Sequence, residues 1–297
     1  MKKILLASTM LIATATIANA QAVTISGEGR MGIQALRAFG TTIWTQENRL
    51  TLDFNVAVEA DHGLTFGAWS RARMSSGWPG TAGAGIFSGS RVWVESNGLR
   101  LTFGNADGAI ATSGTSHGWL GGCGVGYEGG QICGDTGFLD RVAHVENSNG
   151  ANAAPQAMIT YSAGDYAVAL SSQRGVSTEV AGRYTFGAIT VAAGYSDSRI
   201  SSANDFWTIS GHYDGGSWGV GALVADINNF TNWSLSGTVD VYGGHAYGYV
   251  GEIFGLNTYG LSYGYDLGGG ATLTAGAEYI DVFGGVTSGS VGVAFTF

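Results

Sequence analysis

The sequence predicts an all-β chain that crosses a membrane as a closed, antiparallel, up-and-down barrel of sixteen strands, and three observations predict it. Apolar and polar residues alternate over segment after segment. The polar parity is built from small or charged side chains. After residue 20, no run of ~18 apolar residues is present to form a spanning helix.

The alternation is clearest at 47–59, where Leu50, Leu52, Phe54, Val56 and Val58 share one parity and Arg49, Thr51, Asp53, Asn55 and Ala57 the other. Successive side chains of a strand point to opposite faces, so one face is apolar and the other polar or ionic. The pattern recurs from Val23 to Ile33, across Ile189–Ser196, and at Val291, Val293, Phe295 and Phe297 against Ser290, Gly292, Ala294 and Thr296. A water-soluble sandwich or small barrel fills its interior with large apolar groups. Here the second face is Gly, Ser, Thr, Ala and ions, which cannot make a dry core. The large residues therefore face lipid, where only closure satisfies the backbone of strands.

By this rule the strands fall near 23–35, 44–59, 63–74, 87–96, 99–105, 155–163, 165–174, 177–187, 188–197, 204–214, 216–226, 231–240, 245–254, 256–266, 271–282 and 286–297. Short connections such as Ser96-Asn97-Gly98 and Ala163-Gly164-Asp165 suit one rim of such a barrel and longer ones the other. Aromatic residues, among them Tyr184, Phe186, Trp207, Trp218 and Tyr259, sit on the apolar parity near strand ends, as rings at a headgroup level do.

The first twenty residues read as a signal peptide, with Lys2 and Lys3 before an apolar stretch from Ile4 to Ile17 and a cut after Ala18-Asn19-Ala20. That leaves 21–297 as a single barrel domain with 11 Arg, no Lys and 22 acids, a formal charge of −11. Such a balance argues against nucleic acid as a partner.

One insertion breaks the rhythm. Residues 106–154 form a 49-residue, glycine-rich connection without alternation, and so long a loop in a compact protein is usually functional. It either rises into solvent or folds into the lumen, where it would narrow a water-filled passage. Cys123 and Cys133 lie within it, and a disulfide between them would staple it in an oxidising compartment. No Cys/His spacing suggests a metal site. Gly124, Gly126 and Gly129 match the dinucleotide fingerprint by letter, but neither the preceding strand nor the following helix is present. Five scattered histidines without a nucleophile elbow argue against an enzyme.

Charge is distributed unevenly. Residues 21–100 hold seven arginines and six acids (7 − 6 = +1), whereas 101–297 hold four and sixteen (4 − 16 = −12). Arg30, Arg49, Arg71, Arg73 and Arg91 fall on the polar parity of the early strands, and the insertion supplies Asp107, Glu128, Asp135, Asp140 and Glu146. Facing one another, these groups would set a field across a constriction. The competing expectation is local pairing of the arginines with Glu28, Glu47, Asp53 and Glu95.

Several fragments, in their order and spacing, resemble the general porins of the Gram-negative outer membrane, closest to those of phototrophic purple bacteria. They are Val23-Thr24-Ile25-Ser26-Gly27 with Arg30-Met31-Gly32, Gly63-Leu64-Thr65-Phe66-Gly67-Ala68, Phe103-Gly104-Asn105-Ala106, Ile159-Thr160-Tyr161-Ser162, Tyr184-Thr185-Phe186-Gly187 and Tyr265-Asp266-Leu267-Gly268-Gly269-Gly270, with a terminal Phe297. The resemblance implies an outer-membrane homotrimer in contact with lipid and lipopolysaccharide, its first and last strands at the subunit contacts. It implies an inward third loop, passive diffusion of small hydrophilic solutes and ions, and Phe297 as an assembly signal. No cofactor is expected, with calcium as the alternative: proteins of this type tend to carry an acid-rich third loop that can hold calcium, and here that loop is glycine-rich with five scattered acids and a cysteine pair. A substrate-selective channel for sugars or anions is the alternative on the same barrel, with Trp69 and Trp93 on the inward parity.

Overall fold

The computed structural model describes residues 22–76, 86–112, 156–199 and 205–297. The expected signal peptide therefore lies outside the described residues. Among the described residues seventeen strands are formed: β1 (Ala22–Ala38), β2 (Thr41–Ala60), β3 (Leu64–Ser76), β4 (Ile86–Phe87), β5 (Arg91–Ser96), β6 (Leu99–Gly104), β7 (Gln156–Ala163), β8 (Tyr166–Gln173) and β9 (Ser177–Phe186). They continue as β10 (Ile189–Ser198), β11 (Phe206–Asp214), β12 (Trp218–Ile227), β13 (Phe230–Val241), β14 (Gly244–Ile253), β15 (Leu256–Gly268), β16 (Ala271–Ile280) and β17 (Val286–Thr296).

Apart from β4 and β5, each strand pairs antiparallel with its chain neighbours, and β1 pairs with β17 from Glu28↔Thr296 to Arg37↔Thr287, so the sheet closes on itself. Both β4 and β5 pair with β3, end to end, so seventeen segments make sixteen staves. The break between them, at Ser88-Gly89-Ser90, is re-satisfied locally. The Ser88 amide donates to the Arg71 carbonyl at 2.7 Å, and the Arg71 amide donates to Ser88 Oγ at 3.1 Å. A hydroxyl thus replaces a missing ladder partner, which matters where an unpaired amide costs several kcal/mol (roughly) in lipid.

The chain ends meet at one rim, where the Gly27 amide donates to the Phe297 carbonyl (2.9 Å) and the Phe297 amide to the Gly27 carbonyl (3.0 Å). Connections on that rim are tight. At Asn97-Gly98 both φ angles are positive, 50° and 81°, the mirror-image turn whose twist matches that of paired strands. The opposite rim carries the insertion, but it also has two-residue turns at Phe39-Gly40 and Phe254-Gly255, so it is less uniformly long-looped than expected.

Side-chain direction follows the predicted parity. On β12, Val220 and Val224 are 49% and 37% exposed on the outer face, while the intervening Leu223 is 1% exposed on the inner one. Leu50, Leu170, Leu235, Val250 and Leu261 are likewise exposed on the outside. An apolar groove of about 400 Å³ on that outer face is lined by Val56, Val58, Phe66, Val92, Leu101 and Phe103. Exposed contiguous apolar surface of this extent is what hydrocarbon covers.

One expectation needs correction. The inner face is not uniformly small and polar. Phe206, Leu223, Ile227 and Ile253 point inward, are buried, and cluster with Ala109, Ile110, Ala169 and Ala181. Tyr247 and Tyr249 also point inward and are buried. The barrel therefore has a buried inner flank from β8 to β14, built around an apolar cluster with buried polar residues such as Ser171 and Glu179, and a charged flank from β1 to β6.

Candidate functional site

The charged flank is assembled by strand register. Arg30 lies across from Arg49, Thr51 across from Arg73, Asp53 across from Arg71, and Trp69 across from both Asn55 and Arg91. Because inward positions recur every second residue, Arg73, Arg71, Trp69 and Gly67 descend one column of β3. Arg30, Arg49, Arg71, Arg73 and Arg91 are brought onto one contiguous patch of inner wall.

Their partners differ. Arg30 meets Glu28 at 3.7 Å and Arg49 meets Glu47 at 2.8 Å. The Arg73 Nε–H donates to Thr51 Oγ1 at 3.3 Å. Arg91 stacks over the Trp69 ring with its guanidinium carbon 4.0 Å from the centroid, and Arg71 approaches the same ring at 5.6 Å. Trp69 is fixed by donating from Nε1 to Asp53 Oδ1 at 3.1 Å. Arg30 and Arg49 therefore pair locally, whereas no carboxylate lies at salt-bridge distance from Arg71, Arg73 or Arg91 among the described residues.

Arg100, also inward, was missed by the sequence reading. It donates to Glu95 from Nε (2.6 Å) and Nη2 (2.5 Å), and it stacks over Trp93 at 4.2 Å. The ring of Trp93 lies flat against Gly67, where a Cβ would fall 2.0 Å from it. A polar recess of about 440 Å³ opens beside this stack, lined by Thr65, Glu95, Arg100, Thr160 and Ser162. A residue count by strand would have found Arg100, since it shares the parity of Thr102 on β6.

The start of the insertion turns inward. Beyond β6, Asn105 donates its side-chain amide to the Gly89 carbonyl at 3.1 Å, and Thr112 Oγ1 lies 3.2 Å from Met158 Sδ on β7. The Ala109 amide donates to Ser171 Oγ at 2.8 Å and the Ile110 amide to Glu179 Oε2 at 3.0 Å. Ser171 and Glu179 are buried inward residues of β8 and β9. Residues 105–112 thus cross the lumen side of β7 to reach β9.

Glu128, Asp135, Asp140, Glu146, Cys123 and Cys133 lie outside the described residues. Among the described residues, no group of three or more His, Cys, Asp or Glu is arranged to hold a metal. Phe297 lies at the seam, its ring against Gly27 and that of Phe295 against Gly29. A second inward network joins Tyr249, whose hydroxyl donates to Glu278 Oε2 at 3.2 Å and lies 3.0 Å from Thr258 Oγ1.

The Ile110–Glu179 bond yields a direct expectation. Glu179→Ala leaves a buried amide without its acceptor, at a cost of about 1–3 kcal/mol. Hydrogen exchange at the Ile110 amide should accelerate accordingly; unchanged protection would mean that the bond does not hold this segment.

A closed barrel with an apolar outside and a charged, partly open inside defines a transmembrane β-barrel channel. The comparisons give its family: a family model for Gram-negative porins matches residues 7–284, and the chain belongs to that family. It is a passive diffusion channel of the outer membrane. Among solved structures, a doubly substituted variant of the Rhodopseudomonas blastica porin superposes with a TM-score of 0.75 at 23% identity, covering 93% of this chain and 100% of that one. A five-substitution variant of the same porin gives 0.76 at 22% identity, with the same coverage. These likenesses bear on the fold. No curated protein matches the chain.

Proposed function

We propose that small hydrophilic solutes and ions are filtered by size and charge between the arginine wall of β1–β6 and the insertion 106–154. The observation that carries this reading is the asymmetry of the inner face. Inward residues of β8–β14 such as Phe206, Leu223 and Tyr247 are buried, whereas Arg71, Arg73 and Arg91 are only half-buried. Water is thereby left to the arginine side. The entry of residues 105–112 onto the opposite wall supports an inward course for the insertion, and Asp107 lies on that stretch. Opposed charges across a narrow aqueous gap orient dipolar solutes and disfavour apolar ones.

In the same reading Glu128, Asp135, Asp140 and Glu146 extend the acidic side, Cys123 and Cys133 staple the insertion, and no cofactor is required. The channel is a homotrimer. Its seam supports this: Gln46 and Asn48 sit on the outer parity of β2 beside exposed Trp44, and polar groups there suit contact with protein better than with hydrocarbon. Elsewhere the outer band contacts lipid, with lipopolysaccharide in the outer leaflet.

Excising part of 106–154 tests the size filter. Single-channel conductance and the permeation of sized neutral solutes should both rise; unchanged values would place the insertion outside the path.

A further inference from the structure

Three guanidinium groups stand on the lumen wall without a carboxylate partner among the described residues, and two of them share one indole ring. Arg91 lies 4.0 Å from the Trp69 centroid and Arg71 5.6 Å. Stacking occupies the faces of a guanidinium but leaves its in-plane N–H donors available. Trp69 cannot swing away easily, because its Nε1 donates to Asp53 (3.1 Å), and that bond takes up Asp53 Oδ1. Arg73 stands across from Thr51, one inward position above Arg71 on β3.

This arrangement selects a ligand chemistry. Guanidinium groups only donate, so neutral sugars, which need acceptors as well as donors, are poorly matched. The planar N–H edge pairs bidentately with a carboxylate. Among the described residues, a carboxylate arriving here displaces no acid already at salt-bridge distance.

We propose that Arg71 and Arg91, held by the Trp69 ring, form a carboxylate-binding clamp in the channel, through which small organic acids pass as a saturable species. The proposal rests on the β1–β6 wall lining the water path. Trp69 acts as a positioning residue, and the two arginines make the contact.

The test uses the full-length protein in planar bilayers, with single-channel conductance followed as potassium chloride, potassium acetate or potassium phosphate is raised stepwise. Conductance in chloride should grow in proportion to concentration, while conductance in acetate saturates. Arg91→Gln should raise the half-saturating acetate concentration about tenfold, the loss of a charge-assisted pair. Trp69→Leu should raise it about fivefold, and Trp69→Phe, which keeps a ring but loses the bond to Asp53, by less. Arg174→Gln, on an exposed turn, is the control and should leave it unchanged. Proportional conductance in acetate overturns the clamp and leaves the channel standing. Equal saturation in all three salts, or tighter saturation by phosphate than by acetate, also overturns it, because positive charge alone would then suffice. Absence of conductance in every salt overturns both the clamp and the water path.

Discussion

Replacing Arg71 and Arg73 together, as Arg71→Gln and Arg73→Gln, should move the zero-current potential across a salt gradient toward cations. At ~6 Å in an aqueous lumen, a unit charge shifts the energy of a passing ion by about 0.7 kcal/mol. Removing two such charges should therefore change the permeability of each ion by about tenfold, in opposite directions, and the cation-to-anion ratio by about a hundredfold at low salt. The effect should shrink as salt rises and the Debye length falls to about 3 Å at 1 M. Arg71 and Arg73 are the informative pair because Arg30 and Arg49 already face Glu28 and Glu47, which offset them. An unshifted potential would show that the β3 column does not border the ion path.

A second large effect is expected on the outer face. Leu235 sits midway along β13, is 52% exposed, and points away from the lumen. Leu235→Arg should destabilise the membrane-embedded barrel by about 2–4 kcal/mol, the cost of a guanidinium near the bilayer midplane. Thr274→Arg, on the inward parity of β16, should change stability by only about 0.5 kcal/mol either way, since its charge meets water. Reversible unfolding in lipid vesicles would compare the two. Equal costs would mean that the faces are not distinguished by hydrocarbon.

Much of this architecture is legible in local sequence because strand parity is a local property. Leu50, Leu52 and Phe54 against Thr51 and Asp53 declare two environments within five residues, and the register pairs Thr51 with Arg73 as that parity requires. The clustering of Arg30, Arg49, Arg71, Arg73 and Arg91 follows from the same rule, since adjacent strands bring inward positions side by side. Where local bulk misleads, parity must come from the neighbours. On β14, Tyr247 and Tyr249 point inward and Ala246 and Gly248 outward, the reverse of the pattern elsewhere. On β12 the run Ala222-Leu223-Val224-Ala225 is apolar on both parities, so nothing in it reveals that Leu223 faces inward.

Other features were illegible because they depend on distant partners. The inner apolar flank forms only when Ala109 and Ile110 arrive from beyond β6. The Ser88-Gly89-Ser90 break depends on a hydroxyl meeting the Arg71 amide across the sheet. The Trp69 sandwich is a further case: the sequence places Trp69 and Arg91 on inward parities, but their stacking requires the register between β3 and β5.

The account stands or falls on which way the two parities face. Spin labels placed singly at Leu235, Val224, Asn55 and Ala57 in the reconstituted protein measure this through relaxation by oxygen and by a water-soluble nickel complex. Labels at Leu235 and Val224 should respond to oxygen and be shielded from nickel, and those at Asn55 and Ala57 should show the reverse. Nickel access at Leu235 and Val224, with Asn55 and Ala57 shielded, would contradict it.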